Sequence, residues 1–383
     1  MVVVGAGVIG ASAAMHLARA GLRVVVIDSA AAPGGGSTAR ATGGFRAQFG
    51  TAINVRLSLL SRAKLGVFRE ETGVDPAFSQ VGYLWLASSE HELGGLREAN
   101  ALQRREGLTE ARIVSPDEIA AINPRISTEG VVGGAWGPTD GVMRPLEILR
   151  GYLEAGARSG VELRWNEAPI AIERDGDRIT AVVTTKERYA TGLVVNAAGA
   201  WAAGVARLAG VATPVVPVRR QVAVTAPTSA LPLDFPMTIW TIDGFHLRVR
   251  DDRALLLRPT QGTDADLRDP FATDVDPRWL DETEAVARAR VPSLAGVSID
   301  PARSWAGLYE MSPDDHVLLG PAPGCPNLLL ANGSSGHGVM HAPALGQLIA
   351  EIATHGQARA LDVHELRPSR FLEGDPVRGA TLL

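Results

Sequence analysis

A repeated pattern and a change of pattern in the sequence predict an α/β chain joined to a second, α+β domain built on an antiparallel sheet. Short runs of Val or Leu end in glycine-rich turns that open apolar helices, first over Val2 to Gly10 and again over Leu328 to Gly338. Strand, turn, helix is the repeating unit of a doubly wound, Rossmann-like parallel sheet. Between these units, from Pro214 to Val291, apolar residues alternate with polar ones and turn residues interrupt them, as in antiparallel strands covered on one face. A chain of 383 residues exceeds the usual size of one core, so two domains are expected.

The opening stretch carries the most specific signal. Val2-Val3-Val4 leads into Gly5-Ala6-Gly7-Val8-Ile9-Gly10, an Ala-rich helix follows to Ala20, Gly21 ends it, and Val24 to Ile27 forms a second strand closing on Asp28. Gly5 makes the tight turn, Gly7 lets a pyrophosphate approach the backbone, and Gly10 lets the helix pack on the strand. The helix N-terminus then faces the phosphates, and Asp28 stands where an acid accepts hydrogen bonds from the adenosine ribose. Taken alone, this stretch admits NAD as readily as FAD. Only Met1 to Val4 precede Gly5, shorter than an ordinary strand, which suggests a start placed a few residues late.

Beyond Asp28, the segment Ala32 to Arg46 is dense in Gly, Ser and Thr. It is turn chemistry, either a plain surface loop or, given its position after the ribose-binding acid, a loop lying along the dinucleotide. Thr51 to Thr72 is helical, Gly82 to Ala87 a strand and Glu90 to Glu106 a helix, and Ser115-Pro116-Asp117-Glu118 reads as a capping box. Pro145 to Ser159 is an amphipathic helix, Val161 to Trp165 a strand, and Ala168 to Glu173 with Ile179 to Thr185 a hairpin around Asp175-Gly176-Asp177. Leu193 to Trp201 is a buried strand ending in a second Gly turn. Strands at Gln221 to Thr225, Phe245 to Val249 and Ala254 to Arg258, then a helix over Pro277 to Arg290, build the second domain. The last unit ends in a helix over Met340 to Ala353. The predicted dinucleotide domain therefore comprises 1–78, 142–220 and 300–383, and the substrate domain 79–141 and 221–299.

Composition narrows the function classes. Net charge is −5 and the basic residues are nearly all Arg, Lys64 and Lys186 being the two lysines, so no electrostatic footprint for nucleic acid exists. Cys325 is the sole cysteine, which excludes an internal disulfide and any cysteine-built metal cluster, and it fits a reducing, cytoplasmic compartment. No signal peptide and no membrane-spanning run is expected.

These residues together resemble the FAD-dependent amino-acid oxidoreductases of the D-amino-acid oxidase and sarcosine oxidase type. The likeness rests on Gly5-x-Gly7-x-x-Gly10, Asp28, the Ser37 to Arg46 loop, Asn196-Ala197-Ala198-Gly199-Ala200-Trp201, Tyr309-x-x-Ser312-Pro313-Asp314 and Ser335-Gly336-His337-Gly338, in this order over nearly the whole chain. It implies a glutathione-reductase-like FAD domain, with the isoalloxazine at the domain interface. FAD would meet Gly5, Gly7, Val8, Ile9, Gly10, Asp28 and Ser29; then Ser37, Thr38, Arg40, Ala41, Thr42, Gly43 and Gly44; then Ile170, Ala198, Gly199, Trp201 and Gly307. Gly333, Ser335, Gly336, His337, Gly338 and Met340 would complete its surroundings. The implied reaction oxidises the C–N bond of a small amino acid, proline, sarcosine or a D-amino acid, by hydride transfer to flavin N5, giving an imine that water hydrolyses. Arg46 matches an arginine that pairs with the substrate carboxylate, Tyr309 a tyrosine near the substrate, and His337 the turn whose helix N-terminus stabilises the anionic reduced ring. The bland readings are a surface loop Arg for Arg46 and a core aromatic for Tyr309.

Departures from the family pattern sharpen the expectation. The cysteine or histidine to which some members attach FAD is Gly307 in one position and Arg40 or Ala41 in the other, so FAD is expected to be non-covalent. A carboxylate-anchoring lysine is replaced by Met340, which argues against simple sarcosine specificity. The strand Ala254 to Arg258 has no lysine to assist O2, so a quinone or electron-transfer protein is the expected acceptor, with Arg258 or His337 as substitutes should O2 serve. Two alternatives remain open: a beta-type subunit of a larger amine dehydrogenase with partner subunits, and a non-catalytic flavin-binding assembly protein.

Overall fold

The computed structural model describes residues 1–259 and 269–379, most of them organised by two large sheets. Val2–Val4 is an inner strand of a six-stranded sheet, and all three residues are buried, as β-branched side chains covered on both faces should be. Across this sheet the strands run Leu318–Ala322, Cys325–Asn332, Val194–Asn196, Val2–Val4, Val25–Ile27 and Glu162–Arg164. Every neighbouring pair is parallel except the first, where Leu318–Ala322 runs antiparallel to Cys325–Asn332. This is the expected Rossmann-like layer.

Two helices bring their first turns together at its carboxyl edge. Val8–Arg19 packs on Gly338–His355, and a Cβ on Gly346 would lie 2.0 Å from Ser12 Oγ, so the helices touch where both carry small residues. A Cβ on Gly338 would lie 3.4 Å from Ile9 Cδ1, which puts the two N-termini side by side. Pro145–Arg158 covers another flank of Val8–Arg19.

The second layer is an eight-stranded sheet in the order Trp305–Met311, Val216–Val224, Arg253–Leu257, His246–Arg250, Met237–Trp240, Tyr83–Ala87, Gly133–Gly137 and Arg112–Val114. Pro277–Arg290 buries Trp279, Leu280 and Ala287 against Leu84, Leu86, Phe245 and Leu247 of this sheet. The sheet departs from the sequence expectation in two ways. Met237–Trp240 pairs in parallel with Tyr83–Ala87, so the sheet is mixed; these strands come from distant parts of the chain, and no hairpin imposes an antiparallel partner. Trp305–Met311, within the segment 300–383 assigned to the dinucleotide domain, pairs with Val216–Val224 in this second sheet. The other sequence-read elements appear within a few residues of their expected bounds, including the Ser115 capping box, but the helix expected over 51–72 is broken into Ala52–Gly66 and Phe68–Thr72. A small pairing of Gly44–Phe45 with Gly141–Val142 ties the glycine-rich loop to the turn that follows Gly133–Gly137.

Candidate active site

A cavity of about 1000 Å³ lies between the carboxyl ends of the parallel strands and the eight-stranded sheet. That is the upper end of the range for small-molecule sites, room for an extended cofactor together with a small substrate.

At one end the three opening glycines divide their work. Gly5 has φ +102° and a Cβ there would meet Ala197 O at 2.4 Å, so both conformation and packing require glycine. A Cβ on Gly10 would fall 1.9 Å from Gly5 O, so helix and turn touch. Gly7 meets only Thr38 Oγ1, at 3.4 Å, so nothing in the protein itself demands glycine there; its open side faces the cavity. A cradle of this kind suits a pyrophosphate. Thr38 Oγ1 accepts from Val8 N at 3.1 Å, and Asp28 accepts from Ala6 N at 2.7 Å and Ala30 N at 2.8 Å, which fixes the carboxylate at the cavity wall with lone pairs left for ribose hydroxyls.

The glycine-rich loop is bolted to the second sheet. Ser37 Oγ donates to Leu308 O at 2.7 Å, Trp305 Nε1 donates to Arg40 O at 2.8 Å, and the Arg248 guanidinium donates to Thr42 O. A Cβ on Gly307 would lie 2.9 Å from Arg40 Cβ, and one on Gly44 would lie 2.0 Å from the Tyr83 hydroxyl. The loop is therefore no free surface segment, and its residues Ser37, Thr38, Arg40, Ala41, Thr42, Gly43 and Gly44 all line the cavity.

At the far end the structure gathers Arg46, Tyr309 and His337. The Arg46 guanidinium is buried, 3.1 Å from His337 Nε2, with its Cζ 4.5 Å from the Phe49 ring centre and 4.9 Å from that of Trp85. Burial, and then the Arg46 charge, push the His337 imidazole well below its usual range, so it is neutral. The Tyr309 ring lies against Gly336, where a Cβ would meet Cε2 at 2.4 Å, and burial raises its hydroxyl pKa. His337 caps the helix Gly338–His355, whose positive N-terminal end thus opens on the cavity. In the Tyr309 to Asp314 motif, Asp314 belongs to the scaffold: it receives both Nε and Nη2 of fully buried Arg370 at 2.8 Å.

The remaining site candidates divide. Val8, Ile9, Ser29, Ala198, Gly199, Trp201, Gly307, Ser335, Gly338 and Met340 line the cavity. Gly10, Ile170 and Gly333 do not: Gly10 packs the helix, a Cβ on Gly333 would strike Leu318 Cδ1 at 2.7 Å, and Ile170 is 55% exposed at the start of Pro169–Asp175 while its neighbours Ala168 and Pro169 face the cavity. Sequence reasoning missed Tyr83, Arg220, Met237, Ile239 and Glu310 and set His246 aside. All six line the cavity, all but Glu310 from inner strands of the large sheet, and burial lowers the His246 pKa to about 4. Alternation put them on one of two strand faces, but nothing in the sequence says which face looks inward.

Paired glycine turns at adjoining helix N-termini, an acid at the end of the second strand and a large cavity closed by a second sheet define a dinucleotide-dependent α/β enzyme. The chain belongs to the family of FAD dependent oxidoreductases, whose model matches residues 1–352, and its cofactor is FAD. The FAD-dependent oxidoreductase domain-containing protein 1 of Xenopus laevis is 30% identical over 98% of this chain and 83% of its own length. The mitochondrial dimethylglycine dehydrogenase of Rattus norvegicus is 28% identical over 97% of this chain, which matches 44% of that protein. Among solved structures, the L-proline dehydrogenase of P. horikoshii superposes with a TM-score of 0.90 at 29% identity, covering 98% of both chains. The residues present fit that cofactor: Gly7, Thr38 and the first turn of Val8–Arg19 would meet the pyrophosphate, Asp28 would accept from the ribose hydroxyls, and the Gly336 to Gly338 turn would lie by the ring. Among the described residues no group of His, Cys, Asp and Glu could hold a metal ion, and no helix is long and apolar enough to cross a membrane.

Proposed function

We propose that this chain oxidises the C–N bond of a small amino acid, a secondary amine such as proline or sarcosine or else a D-amino acid, and that its FAD is held without a covalent bond. The observation that carries this reading is the buried Arg46 guanidinium at the cavity wall, beside His337 and the Tyr309 end of the second sheet. A planar guanidinium in a desolvated pocket is the group best suited to grip a carboxylate in two places. When bound, FAD supplies a hydride acceptor for the carbon next to the nitrogen. Arg46 anchors the carboxylate, Met237 and Ile239 of the large sheet exclude water, and neutral His337 can accept or donate a hydrogen bond without repelling a cation. The Gly338–His355 helix N-terminus lends positive potential where electron density accumulates.

The electron acceptor is a quinone or an electron-transfer protein in this reading. Its support is the position of the two lysines: Lys64 pairs with Glu71 at 3.7 Å and Lys186 donates to Trp165 O at 2.9 Å, and neither lines the cavity. Gly307 and the buried Cys325, whose Sγ lies 3.8 Å from Asn327 Oδ1, support a non-covalent cofactor. Anaerobic mixing with a panel of amino acids tests the reading: one small secondary amine or D-amino acid should bleach the yellow protein within turnover time. A fully loaded protein that no member of the panel reduces would sink it.

A further inference from the structure

Asp140 is fully buried and lies outside the cavity, where it touches neither substrate nor cofactor space. It sits in the turn between Gly133–Gly137 and Gly141–Val142, where its carbonyl accepts from Gly82 N at 2.9 Å. Its Oδ1 accepts from Ala47 N at 2.7 Å. Ala47 directly follows Arg46. The segment 44–49 is thus held at three points: by the Gly44–Phe45 pairing with Gly141–Val142, by Asp140 at Ala47, and by Gln103 Nε2 donating to Phe49 O at 3.1 Å. Arg46 is flanked by the first two of these, a backbone pairing before it and a single side-chain oxygen after it.

The surroundings of the other carboxylate oxygen are equally particular. Oδ2 is buried without a hydrogen-bond partner among the described residues, as are both polar atoms of Gln48, itself 1% exposed. A Cβ on Gly137 would lie 2.7 Å from Gln48 Oε1 and 2.8 Å from Asp140 Oδ2, so the two side chains converge on one glycine. Burial pushes the Asp140 carboxyl up to about 7, the Ala47 N–H, the Arg62 charge, the Gln48 backbone N–H and the Arg46 charge opposing the rise. A buried acid is costly to keep unless its geometry serves something.

We propose that Asp140 is a positioning residue for substrate binding: its Oδ1, by fixing the Ala47 N–H, sets the position from which Arg46 grips the substrate carboxylate. This rests on the carboxylate role of Arg46. Removing the acceptor leaves a buried N–H without a partner and lets the Arg46 backbone drift, which a bidentate contact tolerates poorly.

Asp140→Ala, Asp140→Asn, Arg46→Ala and the Asp140→Ala/Arg46→Ala double variant test it in the FAD-loaded protein, with steady-state kinetics on whichever of L-proline, sarcosine or the D-amino acids bleaches the parent's flavin, in an artificial dye acceptor. Asp140→Ala should raise KM on the order of tenfold while kcat stays within about threefold and the flavin absorbance is unchanged. Asp140→Asn keeps an acceptor oxygen for Ala47 N–H and offers Gln48 Oε1 a donor, so it should restore KM to within about threefold of the parent. In the Arg46→Ala background, Asp140→Ala should add nothing, because the residue acts only through Arg46. An unchanged KM in Asp140→Ala, an additive double variant, or an Asn variant as poor as Ala overturns the proposal. If Asp140→Ala fails to fold, Asp140→Leu, close to Asp in size and without an acceptor oxygen, and its double with Arg46→Ala take its place, with the same expected and overturning results. An unchanged KM in Arg46→Ala overturns the carboxylate role itself, an outcome distinct from any of these.

Discussion

Gly7 and Gly10 lie three residues apart in one turn, yet they are glycine for opposite reasons. Adding a methyl at Gly10 places it 1.9 Å from Gly5 O, a backbone atom that cannot rotate away. The helix Val8–Arg19 would have to shift by more than an ångström against Gly338–His355, and the roughly 1 kcal/mol of helix propensity that Ala gains over Gly does not offset this. Gly10→Ala should therefore lose about 2–3 kcal/mol of stability, with or without FAD. Gly7 has φ −69°, allowed to any residue, and its new methyl would meet only Thr38 Oγ1 at 3.4 Å. Gly7→Ala should leave the FAD-stripped protein within about 0.5 kcal/mol of the parent. Its methyl would occupy the space the pyrophosphate needs, at a cost of about 1–3 kcal/mol, so FAD affinity should fall on the order of 10- to 100-fold. Urea unfolding followed by tryptophan fluorescence, in stripped and FAD-saturated protein, separates the two effects, and titration by flavin fluorescence quenching gives the affinity. A Gly7→Ala protein that binds FAD as tightly as the parent would refute the assignment of this turn to the pyrophosphate.

Other outcomes follow from the same geometry. Arg46→Lys should raise KM less than Arg46→Ala but still measurably, since an ammonium offers no planar fork; equal KM values for Lys and the parent would show that charge alone suffices. The His337 pKa lies well below its ordinary 6.5, so kcat/KM should rise with pH along the substrate's own amine ionisation, and an inflection near 6.5 that vanishes in His337→Asn would contradict a neutral His337. Burial would raise the Asp314 carboxyl, but the Arg370 hydrogen bonds and charge outweigh it and hold it below its usual range. That pair therefore stabilises the fold above the unfolded carboxyl pKa, and the contribution disappears as pH falls through the folded value. Arg370→Met should cost about 3–5 kcal/mol at neutral pH, read by urea unfolding, and the cost should shrink as the pH falls through the folded carboxyl value. Substrate-reduced protein should be reoxidised slowly by air and quickly by a soluble quinone; rapid reoxidation in air would overturn the choice of acceptor and make Arg258, a cation of the cavity lining, the first residue to replace.

Much of the cofactor half was legible because its physics is local. A turn, a helix N-terminus and an acid at a set spacing declare themselves within thirty residues, and Gly5, Gly7 and Asp28 come together at one end of the cavity. The substrate half depends on pairings between distant strands. Tyr83 and Ile239 enter the cavity through a parallel match between Tyr83–Ala87 and Met237–Trp240 that no pattern in either strand announces. Trp305–Met311 carries no strand signal of its own in the sequence, and only its pairing with Val216–Val224 brings Tyr309 and Glu310 to the cavity. Ile170 and Gly333 show the converse error, residues of the right type beside the cavity whose own positions are set by exposure and by packing on Leu318. Asp140 gave no signal at all, because an Asp in a Gly-Pro-Thr-Asp-Gly turn looks like ordinary surface chemistry until its burial is known.

The order of the parallel sheet also bears on how the chain is made. Val2–Val4 leaves the ribosome before the rest of its sheet, but its neighbour Val194–Asn196 follows some 190 residues later, and Cys325–Asn332 later still. At about 5–20 residues per second, an apolar strand waits on the order of 10–40 s for its first lateral partner on that side and longer for the layer to close. During that interval Val2–Val4 has only the edge offered by Val25–Ile27, and an unpaired apolar edge invites pairing with other chains. Overproduction should therefore be limited by crowding of nascent chains, which slower synthesis at low temperature would relieve.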